Sequence, residues 1–138
     1  TALGFAAGEI SVSICYEIVY GELVRNAAAD PAVLVTISND TWFGRSIGPL
    51  QHMQIARMRA LEMGRYLVRA TNNGVSGVVD PGGAVIASGP QFKPAVVSAT
   101  VRRMRGRTPY ARTGSWPVLV GVLCLMGGWL VAARSSTS

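Results

Sequence analysis

Short apolar runs and longer stretches of helical spacing alternate along residues 1–101 of the chain. The runs of strand length are Ser11–Cys15, Ala32–Ile37, Tyr66–Ala70, Val75–Val79, Ala84–Ala87 and Ala95–Val101. Helical composition or spacing occurs in Gly21–Ala29 and in Leu50–Gly64. Strands that alternate with helices and then follow one another in hairpin order predict an α/β fold with a mixed sheet.

Two turn-rich segments divide these elements. Asn73-Gly74 is a strong hairpin signal between the third and fourth predicted strands. Ser38–Pro49 is rich in Gly, Ser and Asp, and we expect a loop there. The loop carries an aromatic pair, Trp42 and Phe43, which is less readily buried in such a loop than on a strand.

The C-terminal part of the chain has a different pattern. Trp116–Ala133 contains 18 residues without a charge. As a helix this stretch is about 27 Å long, close to the thickness of a bilayer's hydrocarbon core. Trp116, Trp129 and Arg134 resemble interfacial anchors. We therefore predict a transmembrane helix at 116–134; the alternative is a buried core helix, which rarely lacks a polar side over such a length.

The charge of the chain is unevenly distributed. Its net charge is +6, yet residues 1–100 carry seven basic and seven acidic side chains. The excess lies in six arginines after residue 100, five of them in a predicted basic linker at 102–115. Nucleic-acid binding is disfavoured, because the basic run lacks interleaved aromatic residues and adjoins the apolar stretch.

Composition excludes several other classes of protein. An apolar content of 49% in 138 residues argues against a disordered chain. Two distant cysteines exclude a disulfide scaffold, and a single histidine leaves no zinc-ligand set. We therefore expect neither a metal site nor a cofactor.

Cys15 carries the strongest chemical signal in the chain. It lies where a predicted strand ends and a helix is about to begin, so backbone N–H groups and a helix dipole favour its thiolate. The same N–H groups are suited to hold an oxyanion during acyl transfer. Glu17 is close enough to orient a substrate or act on a proton. The alternative is a buried structural cysteine, the reading that also suffices for Cys124 in the apolar stretch.

An ordered series of motifs resembles the apolipoprotein N-acyltransferases, a membrane-bound branch of the nitrilase or carbon–nitrogen hydrolase superfamily. The resemblance covers almost the whole chain. The motifs are Ile14-Cys15-Tyr16-Glu17, Gly21-Glu22, Val24-Arg25, Thr36-Ile37-Ser38-Asn39-Asp40, Trp42-Phe43-Gly44, Ser46-Ile47-Gly48-Pro49, Gln51-His52, Ala56-Arg57-Met58-Arg59-Ala60-Leu61-Glu62, Arg69-Ala70-Thr71-Asn72-Asn73-Gly74 and Thr108-Pro109-Tyr110-Ala111-Arg112-Thr113-Gly114.

The resemblance implies a fold and a reaction. Residues 1–101 would be the C-terminal part of an αββα sandwich that is followed by one transmembrane helix. Cys15 would be the nucleophile of a Glu–Lys–Cys triad. It would accept an acyl chain from a glycerophospholipid as a thioester and pass it to the N-terminal amine of a diacylglyceryl-cysteine apolipoprotein. Membrane lipids and these two substrates would be the partners.

Other positions are carried over from the family with defined roles. Tyr16 and Glu17 match residues beside the nucleophile, and the Tyr16 N–H is a candidate oxyanion donor. Trp42 and Phe43 match an aromatic loop near the lipid entry and are predicted to bind substrate. His52 is expected to be a structural hydrogen-bonding residue, because the family base is a carboxylate.

The chain departs from the family pattern before Cys15. No lysine precedes Cys15, and Glu9 does not stand in the family's general-base motif, so neither role is assigned. The chain is therefore expected to be a C-terminal fragment. Two alternative functions remain: a nitrilase-type amidase acting on a small amide, and a catalytically incomplete fragment.

The basic linker bears on cellular location. A simple positive-inside reading would place it in the cytoplasm. The resemblance instead implies a bacterial inner-membrane protein with an extracytoplasmic catalytic domain and a cytoplasmic C-terminus. In that orientation the linker could contact lipid phosphates.

Overall fold

A computed structural model describes residues 2–5, 8–27 and 30–135, with backbone only at 2–5, 131, 134 and 135. The strands are β1 Ala2–Phe5, β2 Gly8–Ile14, β3 Val33–Ser38, β4 Leu67–Thr71, β5 Gly77–Val79 and β6 Val85–Ser88. The α-helices are α1 Gly21–Ala27, α2 Gly48–Met63, α3 Pro109–Thr113 and α4 Trp116–Ser135. Two 3-10 turns complete the chain: the Cys15 turn, Cys15–Val19, and the aromatic turn, Thr41–Phe43.

The six strands form one mixed sheet in the order β1-β2-β3-β4-β5-β6. β2, β3 and β4 are parallel, whereas β1, β5 and β6 join antiparallel to their neighbours. The register aligns Ile14 with Ile37, and Ile37 with Ala70, so the three parallel strands end level with one another. The prediction of an α/β fold with a mixed sheet is confirmed.

Helices cover one face of the sheet and form the core with it. Alternate side chains of the parallel strands point to this face, among them Leu34, Thr36 and Leu67, which are buried. The buried apolar cluster comprises Ile18, Val24, Leu34, Met53, Ala56, Ala60, Met63, Leu67, Val79 and Ala111. Side chains of the other face are less covered: Ile14 is 64% exposed and Ile37 is 54% exposed.

α2 is the longest helix of this layer, and its sequence explains its limits. Pro49 stands in the first turn, where its missing N–H is not needed. The buried positions include Met53, Ala56, Ala60 and Met63, which recur at helical spacing. Gly64 ends the helix in the left-handed conformation, with φ of +62°. A Cβ at this glycine would lie 2.9 Å from Thr108 Cγ2, so other residues fit poorly.

The predicted boundaries hold for most elements of residues 1–101 but fail at both ends of that range. Ala95–Val101 is not a strand: Val96 is 95% exposed, and no strand of the described chain pairs with β6 on that side. The β-branched residues of this segment favour a strand, but the described chain offers no neighbouring strand with which the segment pairs. β1 was not predicted. α1 was predicted to extend to Ala29, and residues 28 and 29 lie outside the described residues.

The chain continues through α3 into α4. Thr108 caps α3, since its side chain accepts a hydrogen bond from the Ala111 N–H at 3.0 Å. Apolar side chains of α4, such as Leu125 and Trp129, are exposed. Within the described part of the chain, no helix combines the length and hydropathy needed to cross a membrane, so the predicted transmembrane helix at 116–134 is not confirmed. The side chain of Arg134, its predicted anchor, lies outside the described residues.

Candidate active site

The predicted site residues lie at one edge of the sheet, which we call the carboxyl edge. β2, β3 and β4 are parallel and end there. The Cys15 turn follows β2, and the aromatic turn lies shortly after β3. In α/β sheets, ligands bind outside the carboxyl ends of parallel strands. The fold thus brings Cys15, Tyr16, Glu17, Trp42 and Phe43 to the edge at which binding sites form.

Cys15 has an unusual backbone conformation. Its φ is +52°, a left-handed value that side-chain-bearing residues rarely adopt. The conformation costs roughly 1–2 kcal/mol relative to a right-handed one. It turns the chain sharply out of β2 and leaves the thiol half-buried at the start of the Cys15 turn. Such strain is concentrated at functional sites, where the surrounding structure holds it in place.

Glu17 stabilises this sharp turn. The Ile14 N–H donates a hydrogen bond of 2.7 Å to Glu17 Oε2. The first N–H groups of a helical turn have no partner inside the turn, and Tyr16 belongs to that group. The carboxylate of Glu17 therefore fixes the entry to the Cys15 turn, while the amides that follow the cysteine remain suited to bind an oxyanion. The catalytic roles of Tyr16 and Glu17 stay predictions.

Exposed aromatic and aliphatic side chains surround the carboxyl edge. Trp42 is 85% exposed, and Tyr16, Tyr20 and Phe43 are also exposed. The rings of Tyr16 and Tyr20 meet edge to face, with centroids 6.1 Å apart. Further apolar side chains exposed in this region are Ile14, Ile37, Ile47 and Leu50. The carboxyl edge thus presents an apolar surface to whatever approaches the thiol.

A buried polar cluster lies directly beneath the carboxyl edge and is centred on Asp40. Its Oδ2 accepts a hydrogen bond of 2.6 Å from Arg69 Nη2, and its Oδ1 lies 3.1 Å from His52 Nδ1. Ser38 Oγ also donates to Oδ1, and the Asp40 N–H donates to Asn72 Oδ1 at 3.2 Å. The carboxylate thereby joins the end of β3 and the middle of β4 to the first turns of α2.

The cluster keeps Asp40 ionised. Burial of the carboxyl group raises its pKa, but the hydrogen bond from Ser38 and the charge of Arg69 act in the opposite direction. His52 adds a smaller lowering contribution. The net result is a pKa of Asp40 below its ordinary value of 3.8.

His52 connects this cluster to the aromatic side chains. Its ring centroid lies 6.4 Å from that of Tyr16 and 6.3 Å from that of Phe43. Its Nε2, like Arg69 Nε and Nη1, is buried without a hydrogen-bond partner among the described residues. His52 therefore packs between the residue that follows the nucleophile and the aromatic turn. Nothing in the sequence around His52 indicated that Asp40, 12 positions earlier, would be its partner.

A cavity of about 340 Å³ opens beside the turn between β4 and β5. Asn73, Gly74, Phe92 and Lys93 contribute to its lining, and Cys15 does not. Among the described side chains, no three of His, Cys, Asp or Glu converge as metal ligands do.

Comparison with known sequences places this arrangement in a family. The sequence profile of the carbon–nitrogen hydrolases matches residues 1–110. The chain belongs to the carbon–nitrogen hydrolase family. A nitrilase-superfamily structure, Nit3 of Saccharomyces cerevisiae, has the same fold, with a TM-score of 0.59 and 23% identity over 71% of this chain and 39% of Nit3. The α/β interpretation of this chain therefore rests on sequence and fold together.

Relatives of higher sequence identity carry a more specific name. A protein of Pseudomonas paraeruginosa named apolipoprotein N-acyltransferase is 52% identical over 128 residues, 91% of this chain and 24% of the relative. One of Vibrio vulnificus with the same name is 55% identical over 126 residues, 90% of this chain and 25% of the relative. The resemblance drawn from the motifs is confirmed. The chain spans about a quarter of the length of these relatives.

Proposed function

We propose that this protein is the cysteine-bearing part of an apolipoprotein N-acyltransferase. In the first step the Cys15 thiolate attacks the acyl ester carbonyl of a glycerophospholipid. The C–O ester bond breaks, and the lysophospholipid alkoxide leaves with the proton that the Cys15 thiol gave up in forming the thiolate. In the second step the α-amine of a diacylglyceryl-cysteine apolipoprotein attacks the thioester. The C–S bond breaks, an amide forms, and the amine's proton restores the thiol.

One observation carries this proposal: the strained, half-buried Cys15 at the carboxyl edge, in a chain that is 52% identical to named acyltransferases. A nucleophile for covalent catalysis needs a fixed position and nearby donors for the oxyanion. The sharp turn at Cys15, held by the hydrogen bond between Ile14 and Glu17, supports the first requirement. The first N–H groups of the Cys15 turn, which have no acceptor within a helical turn, support the second.

The apolar surroundings of the thiol favour a lipid substrate over a small amide. A soluble amide offers little apolar surface. The binding of an acyl chain, in contrast, gains about 0.8 kcal/mol of free energy for each methylene group that leaves water. The exposed side chains of Tyr16, Trp42 and Phe43 are suited to contact such a chain. We propose that Trp42 and Phe43 bind the acyl donor, and that hydrolysis of a small amide is the weaker candidate.

The proposed substrates require a membrane location. We propose that residues 1–101 form the catalytic part, that 102–115 is a basic linker, and that the apolar helix at 116–134 associates the protein with the bacterial inner membrane. The exposed apolar side chains of α4 support this association, since an apolar surface of this kind is covered by lipid or by protein. We further propose an extracytoplasmic catalytic part, as the family resemblance implies.

The test is to trap the covalent intermediate on the full-length protein. Phospholipid supplied without an acceptor amine lets the first step proceed and blocks the second, so the thioester accumulates. We expect mass spectrometry to find one acyl chain on the peptide that contains Cys15, removable by neutral hydroxylamine. Cys15→Ala abolishes the adduct, and Cys15→Ser nearly does so, because a hydroxyl ionises far less readily than a thiol.

Cys124→Ala is the matched control. Cys124 lies on α4, not on the Cys15 turn, and we expect its removal to leave the adduct intact. An adduct that persists in Cys15→Ala would contradict the assignment of the nucleophile. Release of acetate or ammonia from small amides, with no acyl adduct from phospholipid, would favour the amidase function instead.

A further inference from the structure

A second candidate site lies at the far end of α2, in what we call the basic pocket. It has a volume of about 330 Å³, and its wall includes Arg65, Arg105, Gly106, Arg107, Thr108 and Arg112. The pocket is formed where Gly64 ends α2 and the basic linker passes over it before α3. Four arginines thus border one small, open depression.

The floor of the basic pocket is held by a buried arginine. Arg65 is 3% exposed, and its Nε donates to the Pro31 carbonyl at 2.6 Å. Its Nη1 donates to the Gly64 carbonyl at 3.0 Å, and its Nη2 donates to both Asp30 and the Gly106 carbonyl. These bonds attach the linker to the body of the domain. The backbone that forms the pocket is therefore held in place by the hydrogen bonds of Arg65.

The positive charge around the pocket is not neutralised. Asp80 is the last acidic residue in the sequence, so the linker and everything after it carry no carboxylate side chain. In the part of the chain that the structure describes, Arg65 pairs with Asp30, but Arg105 and Arg112 take part in no ion pair. Both are exposed. A bound anion would supply the missing charge.

The basic pocket is separate from the candidate active site. His52, near the N-terminus of α2, packs against Tyr16, whereas the residue after the C-terminus of the helix lines the pocket. The 12 positions from His52 to Gly64 span about 18 Å at 1.5 Å per residue. An anion in the pocket is consequently too far from Cys15 to be the group that reacts.

The surroundings of the pocket favour an amphiphilic anion. α4 begins at Trp116, four positions after Arg112, and exposes Leu119, Leu123 and Trp129. A phospholipid joins a phosphate to apolar chains in the same way that this surface joins arginines to an apolar helix. RNA fits less well, because Tyr110, the one aromatic residue between Arg102 and Arg112, has its hydroxyl against Gly21 of α1.

We propose that the basic pocket binds the phosphate of an anionic phospholipid headgroup, with the apolar side chains of α4 beside the acyl chains. Arg105 and Arg112 supply the free charges, and Arg65 holds the linker in place. Arginine is suited to this role because its guanidinium group stays positively charged and attracts the phosphate. The site would orient the domain on a lipid surface, and it does not depend on the proposed acyl transfer.

The test uses the full-length protein in detergent and short-chain lipids as probes. Dihexanoyl phosphatidylglycerol is titrated calorimetrically against the native protein and against the double variant Arg105→Gln/Arg112→Gln. Each basic residue near an anionic lipid contributes about fivefold to affinity, so the double variant should bind about thirty-fold more weakly. The variant Arg105→Lys/Arg112→Lys keeps both charges and should retain affinity to within about fivefold.

The matched control removes the same charge outside the pocket. Lys93→Gln/Arg102→Gln leaves the wall of the pocket intact, and we expect its affinity to change by less than about threefold. Equal weakening by both double variants would mean diffuse attraction and would overturn the proposal. Loss of binding in the lysine variant would equally overturn it, because the charge would then not be the cause.

Three competitors identify the anion. Zwitterionic dihexanoyl phosphatidylcholine should bind at least tenfold more weakly than the anionic lipid, and inorganic phosphate should displace the lipid only at far higher concentration. Equal binding of phosphatidylcholine would rule out an anionic-headgroup site. Displacement by inorganic phosphate at the lipid's own concentration would indicate a free-phosphate site, and stronger displacement by a short RNA would indicate nucleic-acid binding.

Discussion

Arg69 Nη2 donates a hydrogen bond of 2.6 Å to Asp40 Oδ2, and both side chains are completely shielded from solvent. The pair links the middle of β4 to the turn that follows β3, two positions before Trp42. Because a buried charge is stable only with its partner, the aromatic turn and β4 are tied together by electrostatics as well as by the sheet.

Removing one member of this pair should destabilise the protein strongly. Asp40→Asn or Arg69→Met leaves the other charge buried and unpaired, which costs about 3–5 kcal/mol. The free energy of unfolding of the purified protein measures the effect. The control is the exposed pair of Glu22 and Arg25, 2.6 Å apart, where Glu22→Gln should cost less than about 1 kcal/mol.

The double variant separates pairing from packing. Asp40→Leu/Arg69→Met removes both charges, so it should lose much less stability than the sum of the two single variants. Additive losses would contradict a direct electrostatic link between the two side chains.

The lowered pKa of Asp40 predicts a dependence of stability on pH. The carboxyl group stays ionised in the folded protein below pH 3.8, where the unfolded chain already binds the proton. Its contribution to stability is therefore present above pH 3.8 and is lost as pH falls through the lower folded pKa. Thermal unfolding midpoints between pH 2 and 6 should show a difference between the native protein and Asp40→Asn that shrinks as pH falls.

Glu62 provides a comparison of opposite sign. Burial raises the pKa of its carboxyl group above 4.5; the charge of Arg59 opposes this and that of Glu22 adds to it. The contribution of Glu62 is accordingly present below pH 4.5 and is lost as pH rises through the raised folded pKa. A pH response of the same sign in Glu62→Gln and Asp40→Asn would show that the assignment is wrong.

The order of strands and helices could be read from the sequence because each element has a clear period. β3 is a continuous apolar run, and α2 repeats its buried positions at helical spacing, so both were predicted within a few residues. Ala95–Val101 was predicted wrongly as a strand, since β-branched composition does not reveal whether a partner edge exists.

The candidate site could be predicted in part. Cys15 and Glu17 stand two positions apart in the sequence, where a predicted strand ends. The cluster around Asp40 was not predicted, because its members His52 and Arg69 stand 12 and 29 positions away. The register of β3 and β4 and the position of α2 bring them together. The signal in the sequence was Arg69 itself, because an arginine within a predicted apolar strand needs a carboxylate partner if it is buried.

The role of Glu17 can be separated into positioning and proton transfer. Glu17→Ala removes the acceptor for the Ile14 N–H, and we expect thioester formation at Cys15 to fall about tenfold or more, as one lost charge-assisted hydrogen bond is worth roughly 1.5–3 kcal/mol. Glu17→Gln retains an acceptor and should recover most of the rate. Acylation rates from rapid-quench mass spectrometry measure both variants. If Gln is as defective as Ala, Glu17 acts on a proton.

Trp42 should matter for the substrate and not for the fold. Because it is 85% exposed, Trp42→Ala should change the free energy of unfolding by no more than about 0.5 kcal/mol. Acylation by long-chain phospholipid should fall about tenfold, since a buried apolar side chain contributes roughly 1.5–3 kcal/mol. Dihexanoyl donors should be affected less. Met58→Ala, at an exposed site on α2, is the control and should alter neither rate.

The proposed location predicts which face of the membrane the catalytic part occupies. Val96 is 95% exposed, so Val96→Cys in a Cys124→Ala background offers an accessible label site. A membrane-impermeant maleimide should modify the introduced cysteine in cells in which only the outer membrane has been permeabilised. The Cys124→Ala parent, which keeps only Cys15, gives the background labelling. Labelling that appears only after the inner membrane is lysed would place the domain in the cytoplasm.

At Cys15 the left-handed backbone lowers the stability of the fold, whereas the side chain supplies the reactive thiol. Glycine adopts this conformation without the cost that a side chain brings, so Cys15→Gly should fold at least as well as the native chain while losing the thiol. A screen for heat resistance alone would therefore enrich glycine at this position. A cysteine at a position where glycine would be more stable is explained by selection for the reactivity of the thiol.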